Sequence, residues 1–105
     1  MDVIIQSLGF KAGAALESYI QDKVEKLTPN ENIVRANVTL YLGPDRVAPN
    51  DYCEIRLEVP GNDLFVKESS MKFEQAVDSA VNKLQSMLRK SKEKQLDRNH
   101  GRIND

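Results

Sequence analysis

Between residues 34 and 42 apolar and polar side chains alternate without a break, and no other feature constrains the fold as much. Val34, Ala36, Val38, Leu40 and Leu42 fall on one face of an extended segment, and Arg35, Asn37, Thr39 and Tyr41 on the other. The pattern recurs at Cys53, Ile55, Leu57 and Val59, with Glu54, Arg56 and Glu58 between them. Such strands build a sheet with one dry face, so whatever covers it must lie on that side.

Two further segments read as strands. Residues 3–6 form a short apolar run, and residues 64–68 follow Pro60-Gly61-Asn62-Asp63, whose turn chemistry predicts a hairpin. The segment 43–51 holds two prolines and a glycine and reads as an irregular loop. Two helices complete the order. The first spans about 12–27, with Leu16, Ile20, Val24 and Leu27 at helical spacing, and Thr28-Pro29-Asn30 stops it. The second follows Ser69-Ser70, a candidate cap, and runs to about residue 93. Each helix has a single apolar stripe, so both should pack on the dry face. The expected fold is an α+β two-layer sandwich of order β-α-β-β-β-α, with a four-stranded sheet and both helices on one face. Residues 1–94 make the domain, and the polar stretch 95–105 reads as a disordered tail.

The second helix is sorted by charge as well as by polarity. Phe73, Ala76, Val77, Ala80, Val81, Leu84, Met87 and Leu88 share one face. Lys72, Lys83, Lys90 and Lys94 fall within roughly 40° of one another on one flank, while Glu74 and Asp78 lie on the far flank. From Lys83 to Arg102 there are seven basic residues against two acids, although the 105-residue chain carries a net charge of only -1. The first helix places Lys23, Lys26 and Tyr19 on one flank and Glu17 and Glu25 on the other. A row of lysines is ordinarily a solvated face whose stems cover apolar edges. Two basic flanks that joined would instead offer a ridge for nucleic-acid phosphates.

Little else carries chemistry. His100 is the only histidine and sits in the expected tail, and Cys53 alternates inward as a structural thiol, so no catalytic residue and no metal ligand set is expected. No glycine-rich phosphate loop, cofactor motif or small-molecule site is legible. A lone cysteine, no apolar run of membrane-spanning length and no secretory leader predict a cytoplasmic, non-membrane protein. Tyr41 and Tyr52 face the open side of the sheet among acids, where cross-strand packing is a better reading than base stacking.

The run Phe73-Glu74-Gln75-Ala76-Val77-Asp78-Ser79-Ala80-Val81-Asn82-Lys83-Leu84, followed by Leu88-Arg89-Lys90-Ser91-Lys92, resembles the closing helix of a bacterial family. This is the ribosome hibernation-promoting factor and ribosome-associated inhibitor family, also called sigma-54 modulation proteins. Leu16-Glu17-Ser18-Tyr19-Ile20 with Lys23-Val24-Glu25-Lys26-Leu27 is similar to its first helix, and the likeness extends over about 3–94. The resemblance implies a fold like double-stranded-RNA-binding domains with an added leading strand, and a non-enzymatic factor that fills the tRNA and mRNA path of the small ribosomal subunit. It implies ribosomal-RNA contacts at Lys23, Lys26, Lys83, Arg89, Lys90, Lys92 and Lys94, to which the helix geometry adds Lys72. Ser86 departs from the basic residue common there, and Lys72 from an acidic or small one. The likeness is to the short form, which implies a monomer off the ribosome. Two other classes stand beside this one: a general double-stranded-RNA-binding module, and a protein-interaction domain that uses the acidic sheet face.

Overall fold

In the computed structural model the chain folds as β1 (Asp2–Leu8), α1 (Ala14–Glu25), a 3-10 turn (Asn30–Asn32), β2 (Arg35–Leu42), β3 (Asp51–Glu58), β4 (Leu64–Ser70) and α2 (Phe73–Asn104). Residues 1–44 and 47–90 are described in full and 91–104 as backbone only. The expected tail at 95–105 and the side chains of Lys92 and Lys94 lie outside the fully described residues.

The strands form one sheet in the order β1-β2-β3-β4. β1 runs parallel to β2, and α1 supplies the crossover that a parallel pair requires. β2, β3 and β4 are antiparallel neighbours, and Gly61 in the β3–β4 turn takes φ +96°, a conformation that favours glycine. The fold is therefore the α+β sandwich that the alternating strands call for.

Pleat and register select the core. Ala36, Val38 and Leu40 of β2 stand beside Leu57, Ile55 and Cys53 of β3, all buried. Ile20 and Val24 of α1, and Ala76, Val77, Ala80, Leu84 and Leu88 of α2, close over them. The stacked rings of Phe10 and Phe73, 5.0 Å apart, tie the β1–α1 connection to the start of α2.

Several boundaries differ from the sequence reading. Val34 and Leu42, expected inside, are 60% and 55% exposed, because the core lies under the middle of β2 and not its ends. Ser69 and Ser70 do not cap α2. They extend β4, pairing with Tyr52 and Asp51, and the helix starts at Phe73. Ser70 Oγ instead donates to Gln75 Oε1 at 3.0 Å. α1 is shorter than expected, yet Ala12 and Leu27 beyond its ends are buried as the apolar spacing requires.

Burial pushes the Cys53 thiol up to about 12, with the charges of Glu54 and Glu68 adding to the effect. The folded protein should therefore resist thiol reagents at pH 8 and label only as it opens. Leu84→Ala should remove about 2–5 kcal/mol of stability and speed that labelling in proportion. Rapid labelling of the folded chain would contradict this core.

Candidate nucleic-acid interface

Contacts between the helices fix the layout of the charges. Tyr19 Oη donates to Asp78 Oδ1 at 2.7 Å, and Lys23 Nζ lies 3.8 Å from the same oxygen. Further along, Gln85 Oε1 accepts from the Thr28 N–H at 3.0 Å, and Gln85 Nε2 donates to the Thr28 carbonyl at 2.8 Å. Contacts advance along both helices together, so α1 and α2 run parallel. Gln85 thus behaves as a clamp that holds the end of α1 against the middle of α2.

This packing does not merge the two basic flanks side by side. The α1 flank with Lys23 meets the acidic flank of α2 at Asp78. The opposite flank of α2 turns toward β4, where Lys83 Nζ donates to Glu68 Oε2 at 3.1 Å. What comes together is the basic end of α1 and the middle of α2. Lys23 lies in the last turn of α1 and Lys26 caps it, where the helix dipole favours cations. Arg89 lines a groove with Thr28, Pro29, Gln85 and Leu88 just beyond, while Lys83 and Lys90 line another with Asn82, Ser86 and Met87.

Of the cations singled out from the sequence, Lys83 and Lys90 share one groove and Arg89 lines the other near Lys26, whereas Lys23 pairs with Asp78, about 18 Å along α2 from Lys90 at the usual helical rise. Lys26, Lys83, Arg89 and Lys90 are exposed and Lys23 is half-buried. Lys72 is exposed but precedes the first turn of α2, about 27 Å along the axis from Lys90 at the usual helical rise. It belongs to the opposite end. The sequence reading missed Glu68 and Asp78 as partners of the lysines. Glu68 carried a signal: it occupies an inward position of β4, opposite buried Cys53, where an acid needs a partner.

The other face of the sheet is occupied with its own pairings. Tyr41 and Tyr52 stack with ring centres 5.3 Å apart and nearly parallel planes, and the Tyr41 hydroxyl donates to Glu54. Burial first, then that hydrogen bond, pushes the Tyr41 hydroxyl up to about 12. Arg56 lies over Phe65 and Lys67 over Tyr52. Arg35 and Asn37 both donate to Glu58, at 3.3 and 2.9 Å. Among the described residues no group of three His, Cys, Asp or Glu could hold a metal ion, and no helix is long and apolar enough to cross a membrane.

Fold and surface together define a small α+β sandwich whose helix layer carries cation-lined grooves. The family model for the sigma 54 modulation protein / S30EA ribosomal protein matches residues 3–96, and the chain belongs to that ribosome-associated family. Its fold is similar to that of a ribosomal subunit interface protein from Coxiella burnetii, with a TM-score of 0.79 and 18% identity over 88% of this chain and 98% of that one. It is also similar to the Protein Y N-terminal domain of Thermus thermophilus, with a TM-score of 0.68 and 20% identity over 86% of this chain and 98% of that one. Among curated proteins no sequence match was found.

The Asn37 amide holds the Glu58 carboxyl below its ordinary value. It outweighs the opposing effect of desolvation, and Arg35 adds its charge and hydrogen bond. A carboxyl lowered in the folded state contributes stability above its unfolded value and loses it as pH falls through the lowered one. Glu58→Gln should therefore reduce stability at pH 7 and flatten its decline from about pH 5 downward, read by denaturant titration. An acid limb identical to that of the parent would refute the pairing.

Proposed function

We propose that this chain is a non-enzymatic factor that binds the small ribosomal subunit, occupies the path of tRNA and mRNA, and so holds the ribosome in a non-translating state. The observation that carries the reading is the pair of grooves along α2, one lined by Lys83 and Lys90 and the other by Arg89, the latter reached by the chain just after Lys26, the basic cap of α1. Membership of a family described as S30EA ribosomal protein supports it. So does the likeness to proteins called a ribosomal subunit interface protein and Protein Y.

The mechanism is electrostatic and steric. Lysine and arginine heads along these grooves meet ribosomal-RNA phosphates, releasing counterions, and no base needs to be read. Lys92 and Lys94 are further phosphate contacts that the family resemblance implies, and Lys72 would make a separate contact at the start of α2. The rigid sandwich behind them fills space that tRNA and mRNA would otherwise use. The resemblance to the short form supports a cytoplasmic factor that is monomeric off the ribosome.

Co-sedimentation with vacant ribosomes over a salt series, with competing tRNA, tests the reading. Binding to small subunits should fall steeply with salt and be displaced by tRNA. Lys83→Glu with Lys90→Glu should weaken it by at least about tenfold and lower the log–log salt slope by about two. Unchanged binding of that double variant would overturn the interface. Displacement by free RNA duplexes as effective as by tRNA would favour a general duplex-binding module.

A further inference from the structure

Two lysines of the proposed interface already hold a carboxylate. Lys83 Nζ donates to Glu68 Oε2 at 3.1 Å, and Lys23 Nζ lies 3.8 Å from Asp78 Oδ1. We propose that Glu68 and Asp78 are internal competitors for RNA phosphate, so that binding proceeds by exchange of a carboxylate for a phosphate. The inference rests on the ribosomal-RNA reading and adds a pair of residues that set its affinity.

Neither acid is casually placed. Glu68 is on the helix side of edge strand β4, its side chain 20% exposed, and Lys83 is its one salt-bridge partner among the described residues. Lys83 is 62% exposed, so an incoming phosphate can reach its ammonium and take the place of Glu68. Asp78 is fixed from the other side, because Oδ1 also accepts the Tyr19 hydroxyl at 2.7 Å, and the Lys23 ammonium lies 5.5 Å from the centre of the Tyr19 ring. The carboxylate thus stays beside Lys23 and cannot swing away without giving up Tyr19.

Both pairs are half in solvent, where an ion pair is weak and exchange is easy. Their effect is to subtract from affinity without blocking access. A factor that must leave when translation resumes gains by such a brake, since each carboxylate is ready to retake its lysine as the phosphate departs.

The sign of the effect separates this role from the obvious alternative. Were the acids merely positioning the lysines for RNA, removing them would weaken binding. The test measures fluorescence-anisotropy affinity for poly(U) RNA at low salt, and binding to purified small subunits in parallel. Glu68→Gln should tighten poly(U) binding about two- to fivefold, and Asp78→Asn by less, in keeping with its longer ion pair. Glu17→Gln, the same charge change at an exposed site on the other flank of α1, should have a smaller effect than Glu68→Gln. In a Lys83→Met background Glu68→Gln should give no gain. Weaker or unchanged poly(U) binding by Glu68→Gln, or an equal gain from Glu17→Gln, would overturn the inference. Tighter poly(U) binding without any small-subunit binding would leave it standing and remove the ribosomal reading instead.

Discussion

Everything about this protein's surface depends on the seating of α2 across the sheet. Ala76, Val77, Ala80, Leu84 and Leu88 are buried against the dry face of β3 and β4, and that stripe allows α2 only one rotation about its axis. Once the rotation is fixed, so is every polar side chain on the helix. Asp78 and Gln85 are carried toward α1, while Lys83 is carried toward β4. The small residues matter here: Ala76 and Ala80 let the helix backbone approach the sheet, and Leu84 and Leu88 fill the space beyond them. Hydrophobic packing therefore aims the charges, although it contributes nothing to what they bind.

The charges are arranged in two different ways on the two faces of the sandwich. On the open face the described cations have local roles: Arg35 on Glu58, beside the neutral Asn37 amide, Arg56 on Phe65 and Lys67 on Tyr52. These contacts stabilise cross-strand pairs and leave little field for a distant anion. On the helix layer Lys83, Arg89 and Lys90 line grooves open to solvent, and α1, which runs parallel to α2, ends in Lys23 and Lys26. A summed charge near zero conceals this segregation. Local potential, which decides where a polyanion docks, follows the segregation and not the sum.

The architecture was legible because two simple periods dominate the chain. Period two in Val38, Leu40, Ile55 and Leu57, and the helical spacing of Ile20, Val24, Leu84 and Leu88, each specify a one-sided element, and one-sided elements have few ways to pack. Boundaries were less legible. Periodicity does not register how far a neighbouring layer extends, so Val34 and Leu42 share the inward phase of the segment yet lie uncovered at its ends. Ser69-Ser70 carries cap chemistry, but ladder pairing to Tyr52 and Asp51 outcompetes it. The candidate cations can be named from the sequence, but their grouping cannot. Whether two basic flanks join depends on how the helices face each other, which is a tertiary property with no local sequence signal. Gln85, which bridges α2 to Thr28, looks in the sequence like any other exposed glutamine.

The most direct test of the central claim is a lysine footprint: acetylation of the free protein and of its complex with vacant small subunits, read by mass spectrometry. The account predicts strong protection of Lys26, Lys83 and Lys90 in the complex, with Lys67 on the open sheet face as reactive as in the free protein. Protection of Lys67 with Lys83 and Lys90 still reactive would show that the sheet face binds the ribosome and would contradict the account.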